Sequence, residues 1–370
     1  MIESPVIGIV GSQGAYGRWL ARFFRERMGL RVVGRDPVGD VELSECALIA
    51  ACDVLVFAAP IRHTAALISQ YVGLAAGSER DQLWLDVTSI KREPVAAMLA
   101  SMADVVGLHP MCAPPLAPTL RGRVMVVCEA RLSRWGGFVE RLLRGLEAEC
   151  VYAGSEAHDQ RMALVQAMVH AVHLAQAAVL RDCAPDINQP ADVMPFRSVS
   201  FELDMTIAAR MLAGNSAIYE DIQFGNPAVL PMLEKLLFAL TTLRDCVRAG
   251  DEAGRERFRA AFFASGRAFF GPQALRDGNQ GFERLGYLLA DLSDRRVLDI
   301  HLLDDQPGAL RALLALMEAH QINLRSIHSS RTPTGEVHFR IGCNDETDPA
   351  LLQRIASEIE RTGLGRTVAC

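Results

Sequence analysis

One histidine stands where the sequence pattern ends a buried strand. In VVGLHPMCAPP, residues 105–115, apolar residues lead directly into His109, and prolines follow it. Such a histidine can be a packing residue that touches water. It can equally be a catalytic acid or base, because ligands of α/β proteins bind at the carboxyl ends of the strands. His109 is therefore the first candidate for chemistry, and the pattern alone leaves both interpretations open.

A glycine-rich segment near the beginning of the chain has the composition of a phosphate-binding turn. In VIGIVGSQGAYGRWLARFF, residues 6–24, glycines separate an apolar strand pattern from a helical one. Gly14 would let the backbone approach a pyrophosphate, and Gly17 would let the helix pack closely on the strand. Unpaired amides at the helix N-terminus would bind the phosphates. The predicted cofactor-binding residues of this turn are Gly11, Ser12, Gln13, Gly14 and Gly17, with Ser12 where the G-x-G-x-x-G pattern has glycine.

An acidic residue follows the second apolar run at the distance expected for a dinucleotide site. Asp36 lies 19 residues beyond Gly17, where a carboxylate binds the adenosine ribose hydroxyls of NAD. The neighbouring Arg35 could instead bind the 2′-phosphate of NADP. Because a carboxylate at this position repels that phosphate, we favour NAD. A glycine-rich turn that binds nothing is the structural alternative.

Apolar runs and helical patterns alternate over the first part of the chain. Apolar runs of this kind are typical of strands buried on both faces of a parallel sheet, and the helical patterns between them favour a doubly wound α/β domain. The predicted strands are residues 6–10, 30–34, 53–59, 83–87, 104–108 and 124–128. We therefore predict a Rossmann dinucleotide-binding domain over residues 1–155.

The character of the chain changes twice after this domain. From residue 156 long apolar helical patterns replace the strand patterns, with a proline- and aspartate-rich loop at 184–198. From residue 296 the order becomes strand, helix, strand, strand, helix, strand, which is a ferredoxin-like unit. We predict an all-helical domain over residues 156–293, whose apolar helices are buried against a second subunit, and a ferredoxin-like domain over residues 294–370.

The overall composition favours a soluble globular protein over several other classes. The 370 residues are 50% hydrophobic and carry a formal net charge of −6, which gives no reason to expect a nucleic-acid or anionic-membrane partner. The nine cysteines form no C-x-x-C pair and no metal-ligand cluster, so we predict reduced thiols, no metal and a cytoplasmic location. The N-terminus lacks the basic region of a signal peptide, and no apolar run is expected to approach the roughly 18 residues of a membrane helix.

Several segments carry motifs of one enzyme family. They are GSQGAYG at 11–17, LDVTSIK at 85–91, GLHPM at 107–111, AHDQRMALVQAMVH at 157–170 and AARMLAGNSAIYEDI at 208–222. Together they resemble the prephenate dehydrogenase family, which includes arogenate and cyclohexadienyl dehydrogenases. The segments DQPGALRALL and INLRSIHSSRTPTGEVHF resemble an ACT regulatory domain. The resemblance implies an enzyme of tyrosine synthesis that oxidises and decarboxylates prephenate to 4-hydroxyphenylpyruvate, with NAD or NADP as cofactor.

The resemblance implies roles for six side chains. His109 matches the general base that removes the proton of the ring hydroxyl, and Ser89 matches the residue whose hydroxyl orients that histidine. Arg210 matches the arginine that binds a substrate carboxylate, for which a planar guanidinium is suited. Further residues of the substrate site are matched by Lys91, His170 and Tyr219. From the residues alone, Ser89 could equally cap the following helix, and Lys91 could be a solvated lysine.

The ACT resemblance implies a binding site for an aromatic amino acid. The turn at 307–310 joins a strand to a helix, and Gly308 would let the backbone approach a ligand. The predicted effector-binding residues are Gly308, Ala309, Leu310 and Ser330. Tyrosine or phenylalanine is the expected feedback effector, and a homodimer is the expected assembly. A ferredoxin-like domain that binds no ligand is the alternative.

Other functions remain open from the sequence. Arogenate or an amino-substituted prephenate would keep the chemistry and change one substituent of the substrate. An amino-acid sensor without activity would keep the fold, although His109, Ser89 and Arg210 together argue against it. A 3-hydroxyacid dehydrogenase would share the Rossmann domain and the helical dimer but would lack GLHPM and the ACT segment.

Overall fold

The computed structural model describes residues 4–39, 43–115, 117–182, 189–293, 296–302, 306–331, 337–344 and 346–368. The chain divides into two units, Met1–Thr242 and Leu243–Cys370. The first unit contains a large sheet with its helices and the first helices of the predicted helical domain. The second unit contains further helices and a small sheet.

Seven strands form the sheet of the first unit, in the order β2-β1-β3-β4-β5-β6-β7. They are β1 (Ile7–Val10), β2 (Val32–Arg35), β3 (Val54–Phe57), β4 (Leu83–Asp86), β5 (Asp104–Pro110), β6 (Val124–Arg131) and β7 (Glu149–Tyr152). Neighbours among the first five strands are parallel, as predicted, whereas β6 is antiparallel to β5. The described part of the β5–β6 connection contains no helix, and a strand returning without a crossover must run antiparallel. Neither this reversal nor the presence of β7 was predicted from the sequence.

Alternating side chains of the strands pack on both faces of this sheet, which confirms the doubly wound α/β class. On one face, Ile7 and Ile9 pack with α1 (Ala15–Arg22) and α5 (Gly136–Leu146). On the other face, Val10 and its neighbours pack with further helices. These are α2 (Glu45–Ala51), α3 (Ile61–Ala75) and α4 (Arg92–Leu99). Both faces of the strands are therefore covered, and only the sheet edges and strand ends remain for a ligand.

Helices follow the sheet, as the change in periodicity predicts. They are α6 (Ser155–Met162), α7 (Met168–Asp182), α8 (Val199–Ala213), α9 (Ser216–Gly225), α10 (Val229–Ala249), α11 (Glu252–Phe258) and α12 (Ser265–Ser293). A wider π-helical turn, Ala163–Ala167, joins α6 to α7, and α12 is kinked at Gly271, whose φ is 74°. In the predicted loop, residues 183–188 lie outside the described residues, and short 3₁₀ turns occupy Pro190–Asp192 and Met194–Phe196.

The segment Ser155–Asp182 is long and apolar enough to cross a membrane by length and composition alone. Its most apolar window has a mean hydropathy of 1.5, and 11% of that window is buried. The expectation that no apolar run approaches the length of a membrane helix is therefore wrong for this segment. A single segment of this kind is weak support for a membrane span, because helices of soluble proteins have the same composition.

A four-stranded antiparallel sheet with two helices on one face completes the second unit. In chain order the elements are β8 (Val297–His301), α13 (Ala309–Ala319), β9 (Leu324–Arg331), β10 (Val337–Cys343), α14 (Pro349–Arg361) and β11 (Arg366–Val368). The strand order is β11-β8-β10-β9. Its core combines Ile300, Phe339 and Ile341 from the strands with Leu313 and Ile355 from the helices. The predicted ferredoxin-like unit is confirmed.

Candidate active site

The carboxyl edge of the large sheet collects most residues predicted to do chemistry. β1, β3, β4 and β5 are parallel, so their last residues lie along one edge. The glycine-rich turn follows β1, Ser89 and Lys91 follow β4, and His109 is the last residue but one of β5. This edge is where ligands bind in open α/β sheets.

The turn after β1 has the geometry of a phosphate-binding loop. Gly11 has a φ of 83°, and a Cβ on Gly17 would lie 2.1 Å from the Gly11 carbonyl oxygen, so both positions require glycine. The Arg18 amide is the first of α1 to bond within the helix, to the carbonyl of Gly14 at 2.9 Å. The preceding amides of residues 15–17 have no acceptor among the described residues, so they are available to an anion.

Ser12 is accommodated by a glycine in the neighbouring strand. A Cβ on Gly34 of β2 would lie 2.6 Å from the Ser12 Cβ and 2.7 Å from its Oγ. The Gly11 amide also donates to the carbonyl of Arg35 at 2.9 Å, which ties the loop to the end of β2. The departure from the usual glycine pattern is thus matched by local space, and the loop keeps its form.

The Asp36 carboxylate, which is predicted to bind the ribose, supports the loop. Its Oδ2 accepts the Gln13 amide at 3.0 Å, and its Oδ1 accepts the Val38 amide at 2.9 Å. Arg35 points elsewhere, because its guanidinium donates to the Leu43 carbonyl at 2.6 Å and pairs with Glu45 at 2.5 Å. The arginine that could have bound a 2′-phosphate therefore has other partners.

Helix α1 also holds the loop that follows His109. The Tyr16 hydroxyl donates to the Cys112 carbonyl, and the Trp19 indole donates to the Ala117 carbonyl at 3.0 Å. Burial raises the pKa of Tyr16, so this phenol stays a donor. One helix thus contacts both the phosphate loop and the chain beyond the candidate base.

His109 is the first member of a buried hydrogen-bonded chain. Its Nδ1 lies 2.8 Å from Nε2 of His158, and Nδ1 of His158 lies 2.7 Å from Oδ1 of Asp159. The exposed fractions of the three residues are 2%, 1% and 3%, so water does not compete for these bonds. His109 Nε2 bonds to no residue in the described part of the chain, which leaves this nitrogen for a substrate.

The surroundings of His109 favour its neutral form. Burial lowers the pKa of His109 well below its usual value, and the nearby His158 and Lys91 lower it further. At neutral pH the imidazole therefore carries a lone pair and can accept a proton. This is the state that a general base needs.

Lys91 lies behind His109 as half of a buried ion pair. Lys91 and Asp86 are both fully buried, and the Lys91 ammonium bonds to the Asp86 carboxylate and to Thr88 Oγ1 at 3.3 Å. A Cβ on Gly107 would lie 3.0 Å from Lys91 Cδ and 3.1 Å from Asp86 Oδ2. The glycine of GLHPM therefore makes room for the pair. The ammonium predicted to bind substrate already has a carboxylate partner.

The start of α4 is capped from another part of the chain. Asp159 accepts the amide of Lys91 with Oδ1 at 2.8 Å and the amide of Arg92 with Oδ2 at 2.9 Å. Capping by Ser89, one of the two interpretations of that residue, is therefore wrong. Ser89 is half-buried beside this turn, and the bond that orients His109 comes from His158. A contact of Ser89 with substrate stays a prediction.

Three further predicted substrate residues form a second cluster on the helices. The rings of His170 and Tyr219 meet edge to face with centroids 4.9 Å apart. Burial lowers the pKa of His170, and the positive charge of Arg210 contributes to this shift. The Arg210 side chain itself is exposed on α8. His170 Nδ1 and Gln166 Oε1 are buried and have no partner among the described residues, so both atoms need a ligand or water.

Specific bonds attach the helical segment to the sheet. Arg62, at the start of α3, donates from Nε to Asp221 Oδ1 at 2.5 Å and from its amide to Asp221 Oδ2 at 3.1 Å. Asn226 donates to the Asp159 carbonyl at 2.7 Å. Because Asp221 and Tyr219 share α9, these bonds hold the second cluster in a defined position relative to the sheet.

Comparison with known proteins identifies the family of the chain. Residues 35–150 match the model of the prephenate dehydrogenase nucleotide-binding domain, 154–262 that of the prephenate dehydrogenase dimerization domain, and 296–360 the ACT domain. The 4-amino-4-deoxyprephenate dehydrogenase of Streptomyces pristinaespiralis is 30% identical over 280 residues, which cover 71% of this chain and 90% of that protein. The chain belongs to the prephenate dehydrogenase family.

Other members of the prephenate dehydrogenase family match over shorter parts of their length. A probable arogenate/prephenate dehydrogenase of Methanocaldococcus jannaschii is 27% identical over 67% of this chain and 58% of that protein. The T-protein of Haemophilus influenzae is 27% identical over 62% of this chain and 59% of that protein. The chain thus spans about three-fifths of the length of these relatives.

Solved structures of prephenate dehydrogenase family members share the fold. The Aquifex aeolicus prephenate dehydrogenase, in complex with hydroxyphenyl propionate and NAD⁺, superposes with a TM-score of 0.54 at 17% identity, covering 69% of this chain and 95% of that one. Synechocystis arogenate dehydrogenase gives a TM-score of 0.51 at 18% identity, covering 71% of this chain and 98% of that one. At these identities the likeness concerns the fold alone.

Sequence reasoning missed three polar residues of this prephenate dehydrogenase family member. His158 and Asp159 lie within the AHDQRMA motif, but the motif does not show that His158 bonds to His109 and Asp159 to His158. Gln166 lies one helical turn before His170, and its Oε1 is buried without a partner among the described residues. The i, i+4 spacing of Gln166 and His170 was the available signal, because it puts both on one helix face.

The predicted effector residues of the ACT domain occupy one end of the small sheet. Gly308, with a φ of 102°, precedes α13, and Ala309 and Leu310 begin that helix. Ser330 lies near the end of β9, which runs parallel to β8 because both are antiparallel to β10. Its hydroxyl bonds to His338 Nδ1 at 3.3 Å. In the SSRT segment, Thr332 lies outside the described residues, and binding of an effector stays a prediction.

Proposed function

We propose that this family member oxidises and decarboxylates prephenate with NAD and releases 4-hydroxyphenylpyruvate for tyrosine synthesis. One observation carries the proposal: His109 is buried, neutral and bonded through Nδ1, and its Nε2 is free at the carboxyl edge of the sheet, beside a phosphate-binding loop. A base held in this way can remove a hydroxyl proton at neutral pH.

The residues present fit NAD. The turn with Gly11, Gly14 and Gly17 leaves backbone amides for a pyrophosphate, and Asp36 stands at the end of β2 for the ribose hydroxyls. Arg35 pairs with Glu45, which favours NAD over NADP. The nicotinamide ring, when bound, accepts the hydride from the carbon that bears the substrate hydroxyl.

The side chains of the protein then have separate tasks. His109 Nε2 takes the hydroxyl proton as the carbonyl forms, and Ser89 contacts the substrate nearby. Arg210 pairs with a carboxylate of the substrate, and His170 and Tyr219 form the wall beside it. Loss of carbon dioxide makes the ring aromatic, so the reaction runs in one direction.

Substrates with one altered substituent are the second candidates. The unpartnered Gln166 Oε1 is a hydrogen-bond acceptor, and an amino group would supply a donor for it. A relative named 4-amino-4-deoxyprephenate dehydrogenase is 30% identical to this chain. Arogenate also carries an amino group. We further propose that the enzyme is a cytoplasmic homodimer and that tyrosine or phenylalanine binds its ACT domain at Gly308, Ala309, Leu310 and Ser330.

The deciding experiment measures NADH formation by its ultraviolet absorbance. The purified protein is given prephenate, arogenate or 4-amino-4-deoxyprephenate, each with NAD or NADP, with and without tyrosine or phenylalanine. We expect turnover with prephenate and NAD that responds to one of the amino acids, and a rate at least about 10²-fold lower with His109→Asn in the same assay. Turnover with only an amino-bearing substrate would replace prephenate. No turnover with any substrate would refute the dehydrogenase proposal and favour a sensor.

A further inference from the structure

We propose that His158 and Asp159 are positioning residues that hold the proton of neutral His109 on Nδ1, and so keep its Nε2 lone pair directed at the substrate hydroxyl. The inference deepens the proposed function and rests on it only in taking His109 as the base. It concerns His158, which bonds to His109, and Asp159, which bonds to His158, and neither bond was expected from the sequence.

Asp159 sets the direction of the hydrogen bonds that join it through His158 to His109. Both carboxylate oxygens accept backbone amides at the start of α4, those of Lys91 at 2.8 Å and Arg92 at 2.9 Å. Oxygens in such an arrangement act as acceptors, and the helix N-terminus favours a negative charge on them. The nitrogen of His158 that faces Oδ1 must therefore carry a proton.

The tautomer of each imidazole follows from this first bond. A neutral imidazole has one donor and one acceptor nitrogen. If His158 donates from Nδ1 to Asp159, its Nε2 is an acceptor, and Nδ1 of His109, 2.8 Å away, must donate to it. His109 Nε2 is then left with a lone pair. The reverse order would place two lone pairs against each other at the carboxylate, in a site that excludes water.

The hydrogen bonds from His109 to Asp159 join elements that are distant in sequence. His109 belongs to β5, the Lys91 and Arg92 amides begin α4, and His158 and Asp159 lie on α6. Asn226 donates to the Asp159 carbonyl at 2.7 Å and fixes the far side of α6. The base therefore has its correct tautomer only when the helical segment is docked on the sheet.

The same series of hydrogen bonds stabilises His109 after it has taken the proton. A buried imidazolium is costly unless it is hydrogen-bonded and compensated. The Nδ1–H of His109 then donates a charge-assisted bond to His158, which is itself bonded to a carboxylate. Preorganised groups of this kind stabilise the charge that develops in a transition state.

The direct test is the tautomer itself. Nitrogen-15 shifts of histidine side chains distinguish a protonated ring nitrogen from one with a lone pair, and His109→Gln identifies the signals of His109. Near neutral pH we expect His109 to be protonated on Nδ1 and not on Nε2. A proton on Nε2 in the wild-type protein would overturn the proposal, whether or not the protein is active.

A matched pair of variants tests the consequence for catalysis. In His158→Gln the amide oxygen can accept from His109 and the amide nitrogen can donate to Asp159, whereas His158→Leu can do neither. We expect His158→Leu to lose roughly 10–100-fold in kcat, the loss seen when a residue that orients a metal-binding imidazole is removed, and His158→Gln to keep most of it. A forced wrong tautomer costs more, about 10⁴-fold in serine proteases.

Four further measurements separate positioning from a merely structural role. The substrate KM, NAD affinity and Tm should be similar in the two variants. The acidic limb of the pH–kcat profile should lie at lower pH in His158→Leu than in His158→Gln, because only glutamine keeps the bond that stabilises the protonated His109. Equal kcat and an unchanged profile in both variants would overturn the proposal. If the wild-type protein turns over no substrate, the proposed function fails, and the nitrogen-15 measurement still decides the tautomer.

Discussion

At the scale of single residues, burial changes what the His109 imidazole can do at neutral pH. The surrounding protein, with His158 and Lys91 nearby, disfavours the imidazolium and lowers its pKa. Lys91 contributes to this shift although its ammonium is paired with the Asp86 carboxylate. The site is therefore built for proton removal, and a base of this kind keeps its lone pair in slightly acidic solution.

Replacing the base should remove most of the turnover. His109→Asn keeps a side chain of similar polarity at the end of β5 but has no basic nitrogen. We expect kcat to fall by at least about 10²-fold while NAD affinity, measured by quenching of protein fluorescence, stays close to that of the wild type. Turnover near the wild-type rate would exclude His109 as the base.

Arg210 should govern substrate binding. Arg210→Ala removes the guanidinium next to His170 and should raise the substrate KM strongly, since a charged hydrogen bond is worth about 1.5–3 kcal/mol. Steady-state kinetics with varied substrate and saturating NAD would measure this. Arg181→Ala is the control, because Arg181 is exposed and pairs only with the adjacent Asp182 among the described residues. An unchanged KM would remove Arg210 from the substrate site.

The depressed pKa of His109 also has a consequence for stability. In the unfolded chain this histidine takes up a proton at pH values below about 6.5, where the folded protein does not. Stability should therefore fall as the pH drops below that value, by at most about 1.4 kcal/mol per pH unit from this group. Urea unfolding of the wild type and His109→Gln at about pH 7 and pH 5.5 should show the smaller loss in the variant. Equal losses would contradict the assignment.

At the scale of elements, the motifs are explained by how strands and turns meet. GLHPM and LDVTSIK lie on adjacent parallel strands, with Gly107 paired to Asp86 in the register. The turn after β4 folds Lys91 back over β5, and only glycine leaves room for it there. The GLHPM motif thus contains one residue for chemistry, His109, and one for packing, Gly107.

A methyl group on Gly107 should therefore be costly. In Gly107→Ala the added Cβ would lie 2.9–3.1 Å from Val95, Lys91 and Asp86, and overpacking of this kind costs about 1–3 kcal/mol. Thermal unfolding should show a lower Tm, together with reduced kcat because the contacts behind His109 shift. Gly73→Ala in α3 is the control, since no atom lies within 4 Å of its added Cβ, and it should keep or raise the Tm. A Gly107→Ala protein as stable as the wild type would contradict this packing argument.

At the scale of the whole molecule, the described helices expose several large apolar side chains. On α10, Leu230 and Leu237 are each 66% exposed and Phe238 is 74% exposed, and Phe224 on α9 is 91% exposed. The first two are seven residues apart and therefore lie on one face of the helix. Apolar area of this extent marks an interface. We expect a second copy of the chain to cover it.

A charge on that face should separate the copies. Leu237→Glu should convert a dimer into a monomer in size-exclusion chromatography with light scattering, because a buried unpaired carboxylate is unfavourable. Lys235→Glu changes charge on the opposite side of α10 and should stay dimeric, since two residues of helix rotate the side chain by about 200°. A wild-type monomer, or a dimeric Leu237→Glu protein, would contradict an interface at this face.

The sequence by itself determined the class of the fold and much of the phosphate loop. Strand runs, helix periodicity and glycine positions are local properties, and each depends on neighbours within a few residues. The first six strands of the large sheet, the following helices and the βαββαβ unit appear where these patterns predict them, whereas β7 was not predicted. The direction of β6 could not be predicted, because an apolar run has the same pattern whether its neighbour is parallel or antiparallel.

Only the tertiary structure decided which polar groups meet. His109 and His158 are 49 residues apart, and Asp159 caps a helix that begins 67 residues earlier, so no local pattern could connect them. The sequence around Lys91 is likewise compatible with a lysine that contacts solvent or substrate, and the fold pairs this lysine with Asp86. Burial without water forces each such group to find a partner, and the partner depends on how distant elements pack. The tautomer and pKa of the base are properties of that packing.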